Sequence, residues 1–112
     1  MRRVIIESPY AGPKGRNIAY ARRCLRDSLI RWKEAPFASH LIYTQPNVLS
    51  DNDAYERTKG IEAGTAWLTV ADALIVYTDL GITEGMRERI KLAEQSGTVI
   101  EYRSLNGVPN TA

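Results

Sequence analysis

The chain has one cysteine, one histidine and one phenylalanine in 112 residues, and each scarcity removes a class of function. A lone Cys24 forms no intramolecular disulfide, and a zinc site would need further ligands that a single histidine, His40, cannot complete. No metal site and no cofactor are therefore expected. No window approaches the ~18 apolar residues of a membrane span, and Met1-Arg2-Arg3 runs into Val4-Ile5-Ile6 without a signal-peptide core. These features give the expectation of a cytoplasmic protein with no membrane partner. Charge of one sign is also scarce: the net charge of +2 is too small for a DNA-binding footprint, although Arg16, Arg22, Arg23, Arg26 and Arg31 make one early helix basic.

What remains is the composition of an ordinary globular protein, 44% hydrophobic and 25% charged, at a length that suits a single core. Residues 1–105 are read as one domain and 106–112 as a flexible tail. Arg3 to Glu7 reads as a buried strand that stops at Ser8-Pro9, where proline removes a ladder donor. A turn-rich loop follows, with Asn17 expected to cap a helix whose apolar stripe is Ile18, Ala21, Leu25, Leu29 and Trp32. Phe37 to Tyr43 is expected as the second strand, and a helix should run from Ala54 to Val70 with Arg57, Ile61, Gly64, Leu68 and Ala71 along one side. Ala73 to Thr78 is the clearest buried strand. A helix from Glu84 to Ser96, a stop at Gly97 and a strand from Thr98 to Tyr102 complete the chain.

Strands alternating with helices predict an α/β fold, a Rossmann-like three-layer sandwich with a mostly parallel four- to five-stranded sheet. Ligands of such sheets bind at the carboxyl ends of the strands. Three loops should line one crevice there: Ser8 to Asn17, Tyr43 to Asp53 and Thr78 to Met86. The first carries Gly12, Gly15, Lys14 and Arg16 at a helix start, which suits a phosphate or carboxylate as well as it suits a structural turn. Tyr10 is placed to stack on a planar base or to cover the sheet end. His40 titrates near neutrality and suits acid–base work, or else shapes its loop through a hydrogen bond. Asp51, Asp53 and Glu56 lie before a helix and read as caps, and Asp72 as a turn residue.

Several blocks in one order, Ser8-Pro9-Tyr10-Ala11-Gly12, Asn17, Pro36 to Gln45, Glu56-Arg57 with Gly60-Ile61, and Gly81-Ile82-Thr83-Glu84-Gly85-Met86, carry a resemblance over residues 3 to 103. The chain resembles small phage and bacterial proteins similar to nucleoside 2-deoxyribosyltransferases. That resemblance implies a homo-oligomer with a nucleoside or nucleotide in the crevice. In the enzymatic relatives a glutamate on the last-site helix attacks the anomeric carbon and forms a glycosyl ester. Thr83, Gly85, Met86 and Ile90 fit that pattern, but the glutamate position holds Arg89, which cannot be a nucleophile and suits a phosphate instead.

The resemblance thus implies a nucleotide-binding protein that leans away from enzymatic activity. Its ligand-binding residues are Ser8, Pro9, Tyr10, Ala11, Gly12, Arg16, Asn17, His40, Thr83, Glu84, Gly85, Met86 and Arg89. In a phage, such a protein would serve anti-defence as a sponge for an immune nucleotide signal. The alternative is an N-ribosyl hydrolase or transferase acting on nucleoside monophosphates through Glu84 or Glu88. Helix geometry ranks Glu84 first, because Met86, Ile90 and Ala93 as the buried side would turn Glu88 to nearly the opposite face.

Overall fold

The computed structural model describes residues 1–106, so of the expected tail only Asn106 is seen and 107–112 lie outside the described residues. The chain forms β1 (Arg3–Glu7), α1 (Lys14–Ile30), β2 (Ala35–Phe37), α2 (Ser39–Ile42), α3 (Ala54–Ala66), a 3-10 turn (Trp67–Thr69), β3 (Ala73–Tyr77), α4 (Glu84–Gln95) and β4 (Ile100–Arg103). All strand pairs are parallel in a four-stranded sheet of order β2-β1-β3-β4. No described helix is long and apolar enough to cross a membrane.

Strand alternation sorts the core into two faces. Val4 and Ile6 of β1 and Ala73, Ile75 and Tyr77 of β3 pack with Tyr20, Ala21 and Cys24 of α1. Ile5, Leu74 and Val76 point the other way, onto Leu68 and onto Met86 and Ala93 of α4. β3 is buried at all five positions, which is why its sequence is apolar without interruption. Glu7 shares the phase of Ile5, so β1 ends by turning a carboxyl toward the α4 side.

Four expectations need correction. The second strand is Ala35–Phe37, and most of the expected strand Phe37 to Tyr43 is instead the helical turn α2. Its polar residues satisfy local carbonyls, with Thr44 Oγ1 donating to the His40 carbonyl at 2.7 Å and Gln45 Nε2 to that of Leu41 at 3.0 Å, which competes with a sheet ladder. Asn17 does not cap α1, which begins at Lys14. Its Nδ2 donates to the carbonyls of Tyr10 (3.1 Å) and Ala11 (3.0 Å) and pins the first loop onto the helix. The buried stripe of α1 is Asn17, Tyr20, Ala21, Cys24 and Ser28, while Leu29 is half exposed. Polar residues take these inner positions because each finds a side-chain acceptor there: Tyr20 donates to Asp79 at 2.6 Å and Ser28 to the buried Glu34 at 2.8 Å.

The third helix stops four residues before the expected Val70 and continues as the 3-10 turn. It buries Gly64, and Leu68 follows in the turn, but Tyr55, Ile61 and Trp67 stay exposed. Asp53 caps α3 by accepting from the Glu56 N–H at 3.0 Å, and Gly97 ends α4 with φ +72, both as the residue types demand.

Candidate functional site

At the carboxyl edge of the sheet the loops after β1, β2 and β3 enclose a cavity of about 390 Å3. Of the residues singled out by sequence, Ser8, Tyr10, Ala11, His40, Thr83, Glu84, Gly85, Met86, Glu88 and Arg89 line it. Pro9 is buried behind the wall, Gly12 and Arg16 are exposed outside the lining, and Asn17 lies beneath the loop it braces. Lys14 is also drawn away from the interior: it pairs with Asp51 at 3.3 Å and sits 5.4 Å from the Tyr10 ring centre, tying the first loop to the second.

The cavity face of α4 is set by helical spacing. Gly85, Glu88, Arg89 and Leu92 recur at steps of three and four and all line the cavity. Glu88 therefore does not turn away from the site as expected; the helix buries Met86, Arg89 and Ala93, and that puts Glu88 at the mouth. Thr83 caps the helix through Oγ1, which accepts from the Met86 N–H at 3.3 Å. Glu84 sits in the first turn and is largely exposed, with a long 3.9 Å pairing to Arg87.

Arg89 is the unusual member. Only 8% of it is exposed, its Nη1 is buried without a hydrogen-bond partner, and it takes part in none of the ion pairs among the described residues. Its guanidinium lies against α3 at Gly64, where an added Cβ would meet Ser39 Oγ at 2.6 Å and both Arg89 Nη atoms at 2.9 Å. Glycine at 64 makes the space for the cation. A buried charge without a partner costs several kcal/mol, so its retention points to a task other than stability.

Two titratable groups respond to this cation. Burial, with Arg89 adding to it, pushes the His40 imidazole down to about 4, so the ring is neutral at ordinary pH. Its Nε2 shares a 2.7 Å hydrogen bond with Ser8 Oγ, and its ring meets that of Tyr10 edge-on at 6.4 Å. Burial raises the Glu7 carboxyl to about 8 against the opposing pull of Arg89. Glu7 lines the cavity and accepts no hydrogen bond from a described side chain.

Sequence reasoning placed the loop from Tyr43 at the crevice but missed Glu7, Ser39 and the α3 wall of Glu56, Arg57, Gly60 and Ile61. A charged residue at the end of an apolar strand reads as a solvent-facing terminus, and nothing local announces the distant Arg89. The α3 wall had a signal in Glu56-Arg57 and Gly60-Ile61, which belong to the blocks that carry the resemblance.

No curated protein matches the chain in sequence. Among solved structures it is similar to a 2-deoxyribosyltransferase from the psychrotolerant bacterium Bacillus psychrosaccharolyticus, with a TM-score of 0.64 and 14% identity over 97% of this chain and 77% of that one. That likeness shows a shared α/β, Rossmann-like fold of the deoxyribosyltransferase type. Residues 2–103 match the model of a family described as a domain of unknown function (DUF7768), and the chain belongs to that family.

Proposed function

We propose that the chain is a nucleotide-binding protein that holds its ligand in this cavity without cleaving it, the anionic group resting on Arg89. The observation that carries the reading is Arg89 itself, a cavity-lining residue that enters no ion pair among the described residues and whose buried Nη1 has no hydrogen-bond partner. A guanidinium offers two parallel donors to phosphate, and in a site removed from water each charge-assisted bond is stronger than at the surface. Tyr10, Tyr43 and Ile61 give the lining planar and apolar faces for a base, while Glu84 and Glu88 at the mouth accept from sugar hydroxyls. The solved relative is described as a biocatalyst for the synthesis of nucleosides, which favours a nucleoside-derived ligand.

Capture without chemistry follows from the same residue. Glycosidic cleavage develops positive charge at the anomeric carbon, and a fixed cation beside it opposes that charge where an anionic side chain would stabilise it. Sequestration of a nucleotide signal, as a phage sponge would perform it, needs no more than such a site. The reading includes a homo-oligomer, which the resemblance implies; sedimentation equilibrium tests it, and a monomer at micromolar concentration would remove it.

The second reading, an N-ribosyl hydrolase or transferase on nucleoside monophosphates, draws on Glu84 and Glu88 both lining the cavity. Calorimetric titration of wild type and Arg89→Met with mono-, di- and cyclic nucleotides separates the readings from a merely structural cavity. Binding that weakens at least ~30-fold in Arg89→Met is expected, about 2 kcal/mol for a charge-assisted contact. Equal affinity in the two proteins would remove Arg89 from the site.

A further inference from the structure

Glu7 and Arg89 are contributed by different elements, the end of β1 and the inner face of α4, yet they line one cavity and neither is satisfied by another described side chain. We infer that Glu7 is an internal competitor for Arg89: an anion on the guanidinium and an ionised Glu7 disfavour one another, so ligand capture raises the proton affinity of the Glu7 carboxyl and draws a proton onto it wherever that carboxyl is ionised in the free protein. The inference rests on the proposed anion site and adds to it a mode of regulation.

The physical argument is a charge count in one small cavity. With Glu7 protonated, the cavity floor carries the uncompensated charge of Arg89 and attracts an anion. With Glu7 ionised, its own carboxylate answers that charge and a second anion meets repulsion in a medium of low dielectric. Burial already holds the Glu7 carboxyl up to about 8, so the free protein stands ready for an anion near neutrality and turns against it in mild alkali.

Other groups around Glu7 leave this coupling distinct. From α4, Glu84 and Glu88 line the mouth and are exposed. From α2, His40 is pushed down to about 4 and stays neutral through the window in which Glu7 titrates. From α3, Glu56 accepts from the Ser50 N–H at 2.9 Å, and Arg57 lines the cavity with an exposed side chain. From the loops, Asp51 is paired with Lys14, while Tyr10 and Tyr43 complete the titratable lining. The coupling is not a metal or nucleophile chemistry; it moves a proton and forms no covalent bond.

Sulfate is the probe, because it keeps its charge across the range. The Glu7 carboxyl carbon and the Arg89 guanidinium are followed by NMR in the full chain at constant ionic strength, with Glu7→Gln as control. The expected result is an Arg89 shift on adding sulfate and a Glu7 midpoint raised by about one pH unit or more at saturation. Sulfate affinity should also fall about fivefold or more between pH 7 and 9 in wild type and stay flat in Glu7→Gln. If sulfate moves Arg89 while the Glu7 midpoint and the pH profile are unchanged, the coupling is overturned and the anion site stands. If sulfate leaves Arg89 unmoved, the anion site itself falls and the coupling with it.

Discussion

Each face of the sheet carries a glutamate and a buried arginine, and the two faces treat them in opposite ways. On the α1 side Glu34 and Arg103 are 3% and 6% exposed and fully partnered. Arg103 donates to both carboxylate oxygens of Glu34 at 2.8 and 2.9 Å, Arg2 and Ser28 donate as well, and the Trp32 ring lies 3.8 Å from the Arg103 guanidinium. Burial alone would raise the Glu34 carboxyl, but the hydrogen bonds from Arg103, Arg2 and Ser28 outweigh it and hold it below the ordinary value. On the α4 side Arg89 has an orphaned Nη1 and Glu7 is driven up by burial. A satisfied buried pair organises a fold; an unsatisfied one leaves bonding capacity for a ligand.

The largest effect should come from breaking the satisfied side. Glu34→Ala strands the Arg103 guanidinium inside the protein and should cost about 3–5 kcal/mol in urea unfolding. Anion binding in the remaining folded protein should be unchanged. A loss of binding with intact stability would mean that the two clusters do not divide the labour as described.

Next comes the pH dependence of the unsatisfied side. Glu7 has its folded value raised to about 8, so the stability it contributes is present below the ordinary carboxylate range, near 4.5, and is lost as pH rises toward 8. Glu7→Gln should therefore gain on wild type over that window, by up to several kcal/mol at 1.4 kcal/mol per unit. His40 works in the opposite sense: its folded value is depressed to about 4, and the stability of the neutral ring is lost as pH falls from 6.5 through 4. Parallel stability profiles of wild type and Glu7→Gln between pH 5 and 8 would contradict the burial of the Glu7 carboxyl.

Smaller again, Arg89→Met replaces an unpartnered buried cation with an apolar chain of similar length and should raise stability by about 1–2 kcal/mol. Were the variant destabilised as strongly as Glu34→Ala, Arg89 would belong with the structural cluster. The smallest change is expected for Gly64→Ala. Its methyl would press on Ser39 Oγ and the Arg89 guanidinium, a strain of about 1–3 kcal/mol partly offset by the ~0.5–1 kcal/mol that alanine gains in a helix. Chemical denaturation should show a net loss near ~1 kcal/mol, and the displaced Arg89 should bind anions more weakly than wild type.

Much of the satisfied architecture was open to the sequence, and much of the unsatisfied site was not. The apolar run Ala73 to Tyr77, the glycine after α4 and the aspartate before α3 have local physical causes and were read from local residues. The phase of α1 escaped because Asn17, Tyr20 and Ser28 are buried through partners that lie elsewhere in the chain, which hydrophobic spacing does not count. Glu88 escaped because the burial of an arginine at 89 rotates the helix relative to its apolar pattern. Glu7 escaped for the same reason in reverse, since only the folded chain brings its carboxyl into one cavity with Arg89.

The central claim is that Arg89 makes the cavity a place where a nucleotide is held intact. Purified wild type and Arg89→Met would each be incubated with a panel of mono-, di-, cyclic and ADP-ribose-type nucleotides, separated from free ligand and denatured, and the released material analysed by chromatography. The account predicts intact nucleotide in stoichiometric amount from wild type and almost none from Arg89→Met; free base with ribosyl phosphate, or equal recovery from both proteins, would contradict it.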